Sequence, residues 1–282
     1  MQPNQHFEQG DKQLARLCIH TVTTRPWGIF TALRKYAAAG VGGVSIWCEA
    51  VQDEDLGDVR RALSDSGVTP VSYVRGGFYT SAGEAGRRAA IDRNRRIVDE
   101  AAELGCPLVV LVCGATPGLS VAQNLEQVKA GIAATLEHAA SRGVRLAVEP
   151  LHPMYADTRS AVTTLKCAND LCDELDSPHL GVAVDVFHVW WDPELDAELA
   201  RCGAADRILA FHMCDWKTNM ADMLNDRGLM GEGILDVARL RRLVEANGFR
   251  GFLEVEIFSN HWWAQDQDRF LEEIVKAYGA SC

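Results

Sequence analysis

Short apolar runs rich in β-branched residues recur along this chain, and each is followed by a longer stretch with helical spacing. The runs fall at 16–22, 43–47, 70–74, 108–112, 145–149, 181–185, 208–212 and 252–256. Helical periodicity fills segments such as 27–39, 85–104, 122–141, 161–175 and 237–246, and a last helix is expected at 266–278. Gly, Pro, Asn or Asp marks most junctions, where turns need them. A run that stays apolar from end to end is a strand buried on both faces, which is how parallel sheet beneath helices reads. Eight such strand–helix units in ~250 residues match the (β/α)8 TIM barrel, an α/β fold. The rival, a doubly wound dinucleotide fold, would need a Gly-x-Gly-x-x-Gly turn after its first strand, and none follows. With no low-complexity linker, a single domain is expected over 1–282.

Composition narrows the partners. At 48% hydrophobic and 24% charged, the chain has ordinary globular composition, which argues against a disordered, collagenous or coiled-coil protein. No apolar run approaches the ~18 residues of a membrane helix, so no membrane partner is expected. The polar start, MQPNQHFEQGDKQ, lacks the apolar stretch of a signal peptide. The net charge of −11 speaks against nucleic acid, whose phosphates call for a positive field. Nine scattered cysteines, with no Cys-x-x-Cys pair, read as reduced thiols, so a cytoplasmic location is expected.

Four strands end alike: Leu146-Ala147-Val148-Glu149, Val182-Ala183-Val184-Asp185, Leu209-Ala210-Phe211-His212 and Leu253-Glu254-Val255-Glu256. Each closes on a residue able to bind a metal, and successive ends lie about one βα unit apart. In a barrel these would be strands five to eight, at the C-terminal mouth where active sites form. Alternation puts Ala147, Ala183, Ala210 and Glu254 one layer lower on the same face. The three alanines leave room for Glu254 to reach the site from below, and Glu256 is the preferred ligand of the two. Any one of the four residues could be a helix cap or a loop ion pair. Four in one register point to a shared purpose. Three carboxylates converging in an apolar barrel need protons or a cation. The mixed set of two Glu, one Asp and one His suits Mn²⁺ foremost, with Mg²⁺, Co²⁺ or Zn²⁺ also compatible.

These motifs carry a resemblance. VEPLH (148–152), VDVFH (184–188), FHMCDW (211–216), RGLMGEG (227–233) and EVEIFS (254–259) make the chain similar to the xylose isomerase-like TIM barrels, the sugar phosphate isomerase/epimerase superfamily. That group includes tagatose/psicose 3-epimerases, hydroxypyruvate isomerase, inosose dehydratase and endonuclease IV. The resemblance implies metal ligands at Glu149, Asp185, His212 and Glu256, with Glu149 and Glu256 also doing acid/base work on opposite faces of a sugar. It implies substrate contacts at His188 and Arg227. The extra early-strand histidines of the nuclease branch are missing: strands three and four end in Val74-Arg75 and Val112-Cys113. That favours one metal over a multinuclear site.

Other residues divide between site and packing. His152 could line the mouth as a substrate contact or cap the next segment, and His20 is a weaker candidate at the end of strand one. His6, His138 and His179 read as surface residues. Arg75, Arg159 and Arg227 lie near the mouth, where a guanidinium fork could clamp an anion; for Arg75 and Arg159, ion pairing between loops is the stronger reading. Gly231-Glu232-Gly233 lacks P-loop spacing and reads as a turn. Trp190, Trp191, Trp216, Trp262 and Trp263 suit a sugar face, internal packing or a subunit interface, which makes a homodimer plausible.

The expected activity is a metal-dependent isomerisation or epimerisation of a ketose or keto-sugar derivative, by proton abstraction through a metal-bound cis-enediolate. The same enolate could instead expel a leaving group, which would make the enzyme a lyase or dehydratase of an inosose-like substrate. A phosphodiester hydrolase and a non-catalytic sugar-binding barrel rank lower.

Overall fold

The computed structural model describes residues 14–281. The polar start and His6 lie outside the described residues. The elements are β1 (Leu17–His20), α1 (Ile29–Ala38), β2 (Gly43–Trp47), α2 (Leu56–Ser66), β3 (Thr69–Gly77), α3 (Glu84–Leu104), β4 (Leu108–Val112) and α4 (Val121–Ser141). The second half continues with β5 (Arg145–Val148), α5 (Leu165–Leu175), β6 (Leu180–Asp185), a one-turn α6 (Val186–Val189), α7 (Leu195–Ala204), β7 (Ile208–Met213) and α8 (Val237–Ala246). It ends with β8 (Leu253–Val255), a short α9 (Asn260–Trp263) and α10 (Gln267–Ser281).

The strands form a closed parallel barrel in chain order, with β1 pairing β8. This is the (β/α)8 TIM barrel. Local chemistry sets the junctions. Asp55, Ser120 and Thr164 cap α2, α4 and α5 by accepting a backbone N–H, and Ser120 completes a capping box with Gln123. Gly105 ends α3 at φ +78°, a left-handed value that a side chain disfavours.

Two apolar layers follow from strand alternation. Outward residues such as Leu17, Val44, Val109, Leu146, Val182 and Phe211 pack beneath the helices, against Ile29, Leu33, Val98 and Ile132. Inside the barrel, Val22, Val74, Leu108 and Val110 meet Ala147, Ala183 and Ala210. The alanine layer thus sits where the alternation puts it. Above it, the interior turns polar.

No described helix is long and apolar enough to cross a membrane. The eight described cysteines are free thiols.

Candidate metal centre

The strands deliver the four ends to one point. Glu149 and Glu256 lie one residue past β5 and β8, and their N–H groups still donate to Leu111 and Met213 carbonyls at 3.1 and 3.0 Å. The sheet therefore fixes both backbones. Asp185 is the last residue of β6 and pairs in register with His212 of β7. One oxygen or nitrogen from each of Glu149, Asp185, His212 and Glu256 lies within 4.8 Å of all the others, and all four residues are buried.

Glu254 has a different place. Its Oε2 accepts from Ser45 Oγ at 2.5 Å and lies 3.1 Å from His20 Nε2. A second buried group, His20, His212 and Glu254, also has its ligand atoms within 4.8 Å. That group offers a single carboxylate, its oxygen already accepting from Ser45, against three carboxylates in the group with Glu256. His212 touches both levels: Nδ1 is 2.9 Å from Glu149 Oε1, and Nε2 is 3.9 Å from Glu254 Oε2.

His20 is the residue whose importance sequence reasoning underrated. Its Nδ1 lies 3.0 Å from Glu256 Oε1 while Nε2 faces Glu254. Its position as an inward residue at a strand end was the available signal.

Arg227 reaches in from the β7–α8 connection. Its Nη1 donates to Asp185 Oδ2 at 2.9 Å and Glu256 Oε2 at 2.8 Å. Phe187 and Phe258 cover its guanidinium at 4.4 and 4.9 Å. The connection is itself held by Asp215, which sequence reasoning did not single out. Its carboxylate accepts from the N–H groups of Trp216, Gly231 and Leu235 at 2.8–2.9 Å. Glu232 accepts from Leu229 N–H at 2.7 Å, so Gly231-Glu232-Gly233 is a turn.

His188 projects from α6, its Nδ1 accepting from His152 N–H at 3.2 Å. Its Nε2 lies 3.3 Å from Arg227 Nη2 and 3.6 Å from Asp185 Oδ2. His152, for which a mouth position and a cap were both open, caps the turn that follows β5. Its Nδ1 accepts from Met154 N–H, and its ring lies against Trp191 and Trp216. The proline at 153 starts a tight turn there, which directs the ring into the aromatic packing. Of the other tryptophans, Trp262 stacks on Phe270 at 4.5 Å and Trp263 donates to the Val22 carbonyl at 2.9 Å. They are used within the chain. Arg75 pairs with Glu49 at 3.3 Å, as loop pairing predicts. Arg159 departs from that expectation: among the described residues it makes no ion pair.

Electrostatics explains how three carboxylates coexist here. Burial, with Glu256 and Glu149 nearby, pushes Asp185 up to about 7 despite Arg227. Burial also opposes the charge on Glu256, yet His20 and Arg227 outweigh it and hold that carboxyl well below the usual range. His212 is raised to about 10: burial disfavours its charge, but Glu149, Glu254 and Glu256 favour it more strongly. Burial and Arg227 keep His188 neutral. Protonated histidine and guanidinium thus supply positive charge where the ligand set calls for it. Three carboxylate oxygens and one imidazole nitrogen form a donor set that fits a divalent cation.

Two cavities share this mouth. The inner one holds about 20 Å³, room for a single water-sized particle, between Glu149, His188, Arg227 and Glu256. The outer one holds about 410 Å³. Trp47, Arg159, Leu224 and Phe258 wall both.

Fold and site together define a (β/α)8 barrel with a candidate metal centre at its C-terminal mouth. The chain belongs to the xylose isomerase-like TIM barrel family, whose sequence model matches residues 33–274. It is 32% identical to a 3-dehydroshikimate dehydratase of Pseudomonas aeruginosa over 81% of this chain and 36% of that protein. The chain thus spans about a third of the length of that curated relative. The crystal structure of protein SMc04130 from Sinorhizobium meliloti 1021 is 44% identical, with a TM-score of 0.92 over 95% of this chain and 98% of that one. The IolI protein, whose crystal structure carries a zinc atom, has a TM-score of 0.83 at 18% identity over 94% and 97% of the two chains. At that identity the likeness is one of fold.

Proposed function

We propose that this chain is a divalent-metal-dependent enzyme that isomerises or epimerises a ketose or keto-sugar derivative, with Glu149, Asp185, His212 and Glu256 holding the ion. The observation that carries this reading is the convergence of those four ligand atoms within 4.8 Å, under a cavity of sugar size. Mn²⁺ is the foremost candidate; Mg²⁺, Co²⁺ and Zn²⁺ also suit the donors. When bound, the ion supplies Lewis-acid polarisation of a carbonyl and so acidifies the neighbouring C–H.

The chain's own residues do the rest. One of Glu149 and Glu256 takes the proton beside the carbonyl, and the other, or the same one, returns it to a different face or carbon. A positioned base of this kind contributes ~10²–10⁴-fold. Arg227 Nη2, set beside the His188 ring, donates toward the oxygen on which charge develops. Trp47, Leu151 and Phe258 wall the inner cavity and limit water there.

A dehydratase is the second reading, and the 32% identity to a 3-dehydroshikimate dehydratase favours it. The first proton abstraction is common to both; the readings part when the enolate either accepts a proton or expels a β-hydroxyl. The test is exchange in D₂O with Mn²⁺-loaded protein and a panel of ketoses and cyclic keto-polyols, followed by proton NMR. Deuterium beside the carbonyl is expected, and product analysis separates isomer from loss of water. No exchange with any member of the panel would contradict both readings.

A further inference from the structure

The outer cavity has a charge pattern the ligand set does not explain. Arg25, Arg75 and Arg159 reach it from three separate stretches: the β1–α1 connection, β3 and the connection after β5. Glu49 is the acid among its wall residues, and it takes one end of Arg75 at 3.3 Å. This is a positive patch on a chain of net charge −11. Arg227 below is already matched by Asp185 and Glu256. Arg159 is half-buried, walls both cavities, and makes no ion pair among the described residues. Its guanidinium rests 5.8 Å over the Tyr155 ring. Burial and the adjacent Arg75 charge both act against its protonated form. A half-buried cation with like charges nearby and no ion-pair partner in contact is poorly satisfied until an anion arrives.

We propose that the substrate carries an oxyanion, a carboxylate or a phosphate, which Arg159 grips together with Arg75 in the outer cavity while the carbonyl end lies over the four metal ligands. The assignment rests on the proposed function for the identity of the ligand as substrate. A guanidinium fork matches either group through two parallel hydrogen bonds. Arg25, exposed over the Trp263 ring at 4.0 Å, adds field at the rim. The roughly 410 Å³ of the outer cavity accommodates a molecule of sugar size.

The test is calorimetric titration of Mn²⁺-loaded protein with D-fructose, 5-keto-D-gluconate and D-fructose 6-phosphate at fixed ionic strength. At least one anion should bind about tenfold or more tighter than the neutral ketose, the scale of a charge-assisted contact. Which anion does so separates carboxylate from phosphate. The preference should fall to within about twofold in Arg159→Ala, persist in part in Arg159→Lys, and weaken in Arg75→Ala. Unchanged melting temperatures would show that the variants are folded. The proposal is overturned if fructose binds as tightly as both anions, if neither anion binds, or if the preference survives in both Arg159→Ala and Arg75→Ala. Binding is read without turnover. Absent deuterium exchange with an intact, Arg159-dependent preference would remove the isomerase and dehydratase readings and leave the anion grip, and the converse pattern would remove the anion grip alone.

Discussion

His212 joins two buried charge systems. Its Nδ1 faces Glu149 at 2.9 Å, and its Nε2 looks down toward Glu254 at 3.9 Å. In the metal-free chain it is raised from 6.5 to about 10, because burial is outweighed by those carboxylates and Glu256. A histidine raised on folding stabilises fully below its unfolded pKa, and that contribution fades as pH climbs through the folded one. The melting temperature of metal-free protein should therefore fall between about pH 6.5 and 10, and saturating Mn²⁺ should blunt the fall by replacing the proton's charge. A flat metal-free profile over that range would show that His212 is not the site's countercharge. At the same scale, Glu149→Gln and Glu256→Gln should each lower deuterium exchange by about 10²-fold or more, read by NMR on folded protein. Exchange at the wild-type rate in both would take the proton transfer away from these side chains.

The strands carry most of what the sequence makes legible. An apolar run ending in an acid or histidine announces both a parallel strand and its mouth, so the order of residues alone makes Glu149, Asp185, His212 and Glu256 stand out. Period-two alternation likewise places Ala147, Ala183 and Ala210 in the barrel interior. That layer is small because the polar level above it needs the space. Ala183→Leu should overpack it, destabilise by roughly 1–3 kcal/mol and weaken Mn²⁺ binding. Calorimetric melting checks the first effect and metal titration the second; wild-type values in both would mean the layer is not tightly filled. His20 and Glu254 are less legible as partners. Their contact depends on closure of β1 onto β8, which sets Cys18 beside Glu254 across more than two hundred residues. Arg159 and His152 sit on one connection, where no periodicity fixes direction. Local turn geometry turned His152 onto Trp191 and Trp216 and left Arg159 at the mouth without an ion pair among the described residues.

At the scale of the molecule, eight strand ends crowd polar groups into one rim, while the helices outside bury the larger apolar core. The rim is held together by connections between distant elements. Asp215 ties the β7–α8 connection, and Arg227 N–H donates to the Phe258 carbonyl at 2.8 Å. An ion shared by β5, β6, β7 and β8 would clamp half of the barrel, and binding energy of that kind adds to folding stability. At a free Mn²⁺ concentration 100 times its dissociation constant the gain is about 2.7 kcal/mol. For a domain of this size that corresponds to a rise of roughly 5–10 °C in melting temperature, reversed by chelation. A melting temperature indifferent to both Mn²⁺ and chelator would mean that no ion bridges these strands.

The most direct test is crystallographic: anomalous difference density from crystals of Mn²⁺-loaded protein, with metal content measured on the same sample. The account predicts one ion per chain, bonded to side-chain atoms of Glu149, Asp185, His212 and Glu256. A rim with no anomalous peak at saturating manganese, or a peak bound by other residues, would contradict it.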